Sequence, residues 1–260
     1  MTAELAGSLA GLGLAGGLLA GLLGIGGGII MAPLLLYVPP LLHVGAFDMK
    51  VVAGLTMVQS LAASLSGVVA HRQFDRVHPN LVLTMGTSSV AASFLGALAS
   101  RHTEARALLA IFAGMAVVAA VLMILPKKEQ SPAPGEELRF CRLLAAGSGL
   151  VIGFLGGLVG QSGAFIIVPT LIFVLKIPTR MALGSSLAIV FLSALAGTLG
   201  KALGGQIHWE MALFLSAGAL GGGWLGGMWS QRVKAPVLRT LLALLIAFAA
   251  IRMWWGVFQG

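Results

Sequence analysis

Residues 21–33 read GLLGIGGGIIMAP, and residues 157–169 read GLVGQSGAFIIVP. Each stretch sets a cluster of glycines and one proline inside a long apolar run. Glycine and proline are the weakest helix formers, and a chain in hydrocarbon finds no water for broken backbone hydrogen bonds. Irregular backbone at membrane depth is tolerated where it is buried in protein or lines a wet cavity. A helix that restarts there aims its first N–H groups along its axis, carrying about half a positive charge. That end attracts an anion without a buried lysine. Glycine supplies close approach and positive φ, and Pro33 and Pro169 keep the following helix short or kinked.

The rest of the chain places these stretches in a bilayer. Of 260 residues, 58% are hydrophobic and 9% charged, and the mean hydropathy is +1.00. A soluble domain cannot hide that much apolar surface. Period-two alternation is absent, which argues against a β-barrel. The spacing predicts an all-helical polytopic protein with helical material near 5–37, 50–70, 78–99, 105–125, 141–175, 180–200, 208–229 and 235–257. A span of the roughly 30 Å core needs about 20 residues. The first charge is acidic, Glu4, so no basic leader of a signal peptide is read. Cys141 has no second cysteine to pair with. The formal charge of +8 suits loop cations that set orientation. No basic stripe with interleaved aromatics points to nucleic acid.

The two halves repeat each other. Gly17, Gly21, Gly24, Gly27 and Pro33 match Gly153, Gly157, Gly160, Gly163 and Pro169 at an offset of 136. After a six-residue insertion, Gly54, Gly67, His78, Gly96 and Leu108 match Gly184, Gly197, His208, Gly226 and Leu238 at an offset of 130. The chain therefore divides into a first repeat, 1–126, a charged linker with Pro and Gly, 127–139, and a second repeat, 140–260. With four full crossings per half, lysines and arginines fall 8 to each face. If each glycine segment enters and turns back, the halves are inverted. One face then collects 11, and the other keeps Lys50, Arg101, Arg106, Lys201 and Arg252. The asymmetry favours an inverted repeat with the richer face cytoplasmic.

Matching helix breaks in two repeats point to the central site of a transporter. The plainer reading is tight packing alone, which Gly13, Gly17 and Gly21 at spacing four would serve. The expected site comprises the backbone of Gly26, Gly27 and Gly28 and of Ser162, Gly163 and Ala164. Thr56, Gln59, Gln161, Ser185 and Ser186 add side-chain donors. Ser60 lies beside Gln59 at mid-span. None of the eight carboxylates falls at mid-span, which argues against a carboxylate proton relay. An inside-negative potential, worth about 2.3 kcal/mol per charge per 100 mV, suits anion export. His78 and His208 read as interfacial.

These residues resemble a known family. GLLGIGGGIIMAPLLL, GLVGQSGAFIIVPTLIF, MALGSSLAIVFLSALAG and the stretch IHWEMALFLSAGALGGGWLGGMWSQRV are similar to the sulfite exporter TauE/SafE family. The resemblance covers nearly the whole chain. It implies a multi-pass carrier of the bacterial inner membrane that moves sulfite, sulfonates or other small organic anions. Two departures stand out: Gln161, Ser162 and Ala164 interrupt a block usually richer in glycine, and Gly184–Ser186 replaces the family's GTS.

Three rivals differ in kind. GQSGAF resembles the GxSG element of rhomboid proteases, with His208 46 residues after Ser162; catalysis would need the two within hydrogen-bond reach. A passive anion channel on the same fold and a non-transporting scaffold are the others. The preferred reading is a transporter, not an enzyme, working by alternating access. It has a small anionic substrate and the lipid bilayer as partners, and needs no cofactor, metal or catalytic residue. The coupling ion is left open, and a homodimer is compatible with it.

Overall fold

The computed structural model describes residues 3–26, 28–72, 77–124, 140–230 and 232–259. The linker at 127–139 and Gly27 lie outside the described residues. Within them the chain is helical: α1 Ala3–Leu23, α2 Gly28–Leu41, α3 Met49–Arg72, α4 Pro79–Ala99, α5 Ala105–Ile124, α6 Arg142–Val159, α7 Ala164–Pro169, α8 Thr179–Leu203, α9 Trp209–Ser230 and α10 Ala235–Gln259. A 3₁₀ turn, Ser100–His102, closes α4, and a π-helical turn, Thr170–Val174, follows α7. Among the described residues eight helices are long and apolar enough to cross a membrane; α2 and the α7 segment are shorter. Large apolar side chains such as Leu83, Leu213, Phe248 and Ile251 face outward, as a lipid-facing surface requires. The chain is a multi-pass membrane protein.

Both glycine stretches interrupt a helix, and after each the chain turns back. A methyl on Gly16 of α1 would meet Met31 of α2, and one on Gly163 would meet Ile152 of α6. Each interruption thus forms a helical hairpin. Pro169 ends α7 and hands over to the π turn. Pro33 does not end α2, which runs through Pro33, Pro39 and Pro40 to Leu41. The return limb is nevertheless short in both halves: α2 has 14 residues, and α7 has 6 with a π turn of 5.

The most extensive helix contacts join the two halves. Gly13, Gly17 and Gly21 of α1 lie against Leu215, Ala219 and Gly223 of α9, so the two helices run parallel. Gly149, Gly153 and Gly157 of α6 lie against Met85, Ser89 and Ser93 of α4 in the same sense. Packing and interruption are therefore both uses of the glycines. The spaced ones admit a neighbour's backbone, and the dense blocks break the helix. In contrast α3 and α8 run antiparallel, Gly67 meeting Leu187 and Gly197 meeting Met57.

Candidate functional site at the two helix breaks

Positive φ angles shape both breaks. Gly24 and Gly26 stand at 69° and 61°, and their repeat partners Gly160 and Ser162 at 85° and 55°. A β-carbon in this region costs about 1–2 kcal/mol, so Ser162 is held where glycine would be easier. Its hydroxyl lies 3.3 Å from the Met57 sulfur, and no contact with His208 is seen. His208 sits exposed before α9 while Ser162 is fully buried.

A crossed pair of hydrogen bonds holds the breaks. Thr56 Oγ1 donates to Gly160 O (2.9 Å) or to Val52 O (2.8 Å). Ser186 Oγ donates to Gly24 O (2.6 Å) or to Leu183 O (2.8 Å). Thr56 and Ser186 are equivalent at the offset of 130, as Gly24 and Gly160 are at 136. Each repeat thus caps the open carbonyl at the other repeat's break. One hydroxyl has one proton, so both side chains are occupied as clamps. Ser185 lies elsewhere: its oxygen accepts the His78 N–H at 2.9 Å, where His78 caps the start of α4.

The second break also uses its own amides. Gly160, Gln161 and Ser162 N–H all point to Gly156 O at 2.9–3.2 Å, and Ala164 N–H points to Gln161 O at 3.2 Å. Ser162 and Ala164 amides are spent internally, unlike the sequence expectation. The cause is the tight hairpin, which brings Gly163 against α6 and lets one carbonyl gather three donors.

The first break is different, because side chains from elsewhere converge on it without partners. A methyl on Gly28, the first residue of α2, would stand 2.8 Å from Gln161 Oε1. One on Gly26 would stand 2.8 Å from Ser60 Oγ and 3.1 Å from the Ala164 β-carbon. The Gln59 Nε2 lies beside Gly16, next to Met31. Gln59, Ser60 and Gln161 have 0% exposure, yet Gln59 Oε1 and Nε2, Gln161 Oε1 and Nε2 and Ser60 Oγ have no hydrogen-bond partner. Each such atom costs about 1–3 kcal/mol. The repeat counterparts of Gln59, Ser60 and Gln161 are Ile189, Val190 and Ile25, so fold symmetry does not require these polar groups. Gly26, Gly28, Gln161 and Ala164 come together here with Ser60, which the sequence reading had not placed in the site, while Gln59 lies beside Met31, one turn further along α2.

Two hollows lie apart from these residues. One of about 560 Å³ between α5, α6 and the α7 segment is lined mainly by apolar residues such as Ile111, Met115, Val151 and Leu155. None of the site residues lines it. The four described carboxylates, Glu4, Asp48, Glu104 and Glu210, are exposed at helix ends or loops. The site's polarity is therefore neutral amide, hydroxyl and helix terminus.

Two interrupted helices meeting at the middle of a helical membrane bundle, with buried unpaired amides between them, are the architecture of a membrane transport protein. The chain belongs to the family described as Sulfite exporter TauE/SafE, whose profile matches residues 9–253. A "Probable membrane transporter protein" of Xylella fastidiosa (strain 9a5c) is 30% identical over 92% of this chain and 91% of its own. "Probable membrane transporter protein YunE" of Bacillus subtilis (strain 168) is 24% identical over 95% and 97%. "Probable membrane transporter protein MJ0441" of Methanocaldococcus jannaschii is 23% identical over 91% of each. These names mark a transporter family rather than an enzyme family. No solved structure matches the chain.

Proposed function

We propose that the protein carries a small oxyanion, sulfite or an organic sulfonate or carboxylate, out of the cell by alternating access. The anion sits at the first break, against the N-terminal end of α2. Gln161 and Gln59 amides and the Ser60 hydroxyl donate to its oxygens, and its retained water donates to the two Oε1 atoms. Thr56 and Ser186 hold the breaks rather than the substrate. The observation that carries this is the set of five unpartnered buried polar atoms around one interrupted helix.

An inverted repeat underlies the transport cycle. Its support is the antiparallel contact of α3 with α8, which occupy equivalent places in the two repeats; repeats related by an axis along the membrane normal would set them parallel. The two repeats, 1–126 and 140–260, flank the linker, and the cation-rich face lies on the cytoplasmic side of the inner membrane. Zero exposure at both glutamines favours a carrier, open to one side at a time, over a standing pore. Counterflow of ³⁵S-sulfite in proteoliposomes tests this. Internal unlabelled sulfite, sulfoacetate or acetate should drive saturable uptake; its absence with every one of these would refute the proposal.

A further inference from the structure

Lys201 is the only fully buried cation among the described side chains. It lies in the last turn of α8, where a lysine ordinarily snorkels to water. Here it turns inward. Its ammonium donates to Ser100 Oγ at 2.8 Å and to Gln206 Oε1 at 3.3 Å. Ser100 in turn donates to Ala97 O or Gln206 Oε1, both at 2.7 Å, and Gln206 Nε2 donates to Ala97 O at 3.1 Å. Every partner is neutral, and no described carboxylate joins them. An ammonium has three protons, and two are accounted for. A buried charge without a counter-ion is costly, and in a membrane bundle such a residue marks an ion's path.

The cluster is joined to the second break by direct contacts. The Gln206 carbonyl lies against Gly54 of α3, and the neighbouring Ala53 lies against Gly160. Lys201, Gln206, Gly54 with Ala53, and Gly160 therefore form an unbroken series from the end of α8 to the break. Gly205, with a φ of 65°, permits the tight turn that carries Gln206.

We propose that Lys201, Ser100 and Gln206 form a second anion station, at the mouth of the pathway on the side where α3 begins and α8 ends. In the closed form Gln206 Oε1 occupies the place of an anion oxygen. When its turn moves aside, sulfite, sulfonate or carboxylate oxygen takes that place and the free ammonium proton. The station meets the anion after it leaves, or before it reaches, the glutamine site, and so rests on the transport reading above.

The test measures ³⁵S-sulfite counterflow separately from each face of proteoliposomes, with Lys201→Met, Lys201→Arg and Gln59→Leu variants of the full chain. Lys201→Met should raise KM about tenfold on the Lys201 face, the loss of one charge-assisted hydrogen bond, and leave the opposite face unchanged. Lys201→Arg should keep most of the wild-type KM. The Met variant should unfold at or above the wild-type temperature, since an apolar group replaces a buried charge. Gln59→Leu should lose counterflow from both faces. Unchanged KM in Lys201→Met beside an active wild type overturns the second station alone, and so does an equal rise on both faces with a lower unfolding temperature. Wild-type protein inactive with sulfite, sulfoacetate and acetate overturns the transport reading and this inference with it.

Discussion

At Gln59 and Gln161 the proposed binding role works against stability. The repeat places isoleucine at both equivalent positions, Ile189 and Ile25, so the fold accepts an apolar side chain there. Gln161→Ile and Gln59→Ile should each raise unfolding stability by about 1–3 kcal/mol, the relief of unpaired buried polar atoms. Both should abolish sulfite counterflow. In the wild type an anion at 100 times its Kd should add about 2.7 kcal/mol, a gain these variants should lack in thermal unfolding. Ser162→Gly should stabilise by about 1 kcal/mol through relief of its positive φ. Thr56→Val should destabilise by about 1–2 kcal/mol by removing the bond to Gly160 O; an unchanged midpoint would deny it a clamp role. The polar residues themselves were legible as interruptions of apolar runs. Their division into clamps and unpartnered groups was not, because the partner of Thr56 lies 104 residues away and that of Ser186 lies 162 residues away.

Among the elements, α1 with α9 and α6 with α4 are built by glycines at every fourth position. A methyl on Gly21 would run into the Gly223 backbone, while one on Gly11 would meet nothing within 4 Å. Gly21→Ala should therefore lower stability by about 1–3 kcal/mol, as overpacking does. Gly11→Ala should be neutral or slightly stabilising. Equal midpoints for the two variants in thermal unfolding would exclude the close α1–α9 contact. The sequence located both helix interruptions, since a dense glycine block inside an apolar run has few other uses. It could not name the packing partners, because spacing four looks the same on any pair of helices. Lys201 shows the same limit: its position near a helix end reads as a solvent-facing cation, and only Ser100 and Gln206 turn it inward.

For the whole molecule, topology is open to direct measurement. The loop 42–48 and the loop 175–178 follow equivalent return limbs in the two repeats. In a Cys141→Ser background, single cysteines at the exposed Gly45 and Gly205 should react with an impermeant maleimide from one face. Cysteines at the exposed Lys176 and Lys234 should react from the other. Labelling of positions 45 and 176 from the same face would rule out inversion. The correspondence between the halves was readable because their glycines keep the same spacing at offsets of 136 and 130. How the repeats interlock was not, since it depends on contacts between helices of different halves.

The bonds from Thr56 to Gly160 and from Ser186 to Gly24 bear on how such a chain could arise. The open carbonyl at each break is capped from the other half, so a half-length ancestor, under the proposed duplication, would have needed two polypeptides, each finishing the other. Fusion of two such halves would have joined a partnership that already existed and left each free to diverge, as Gln161 and Ser162 do from Ile25 and Gly26.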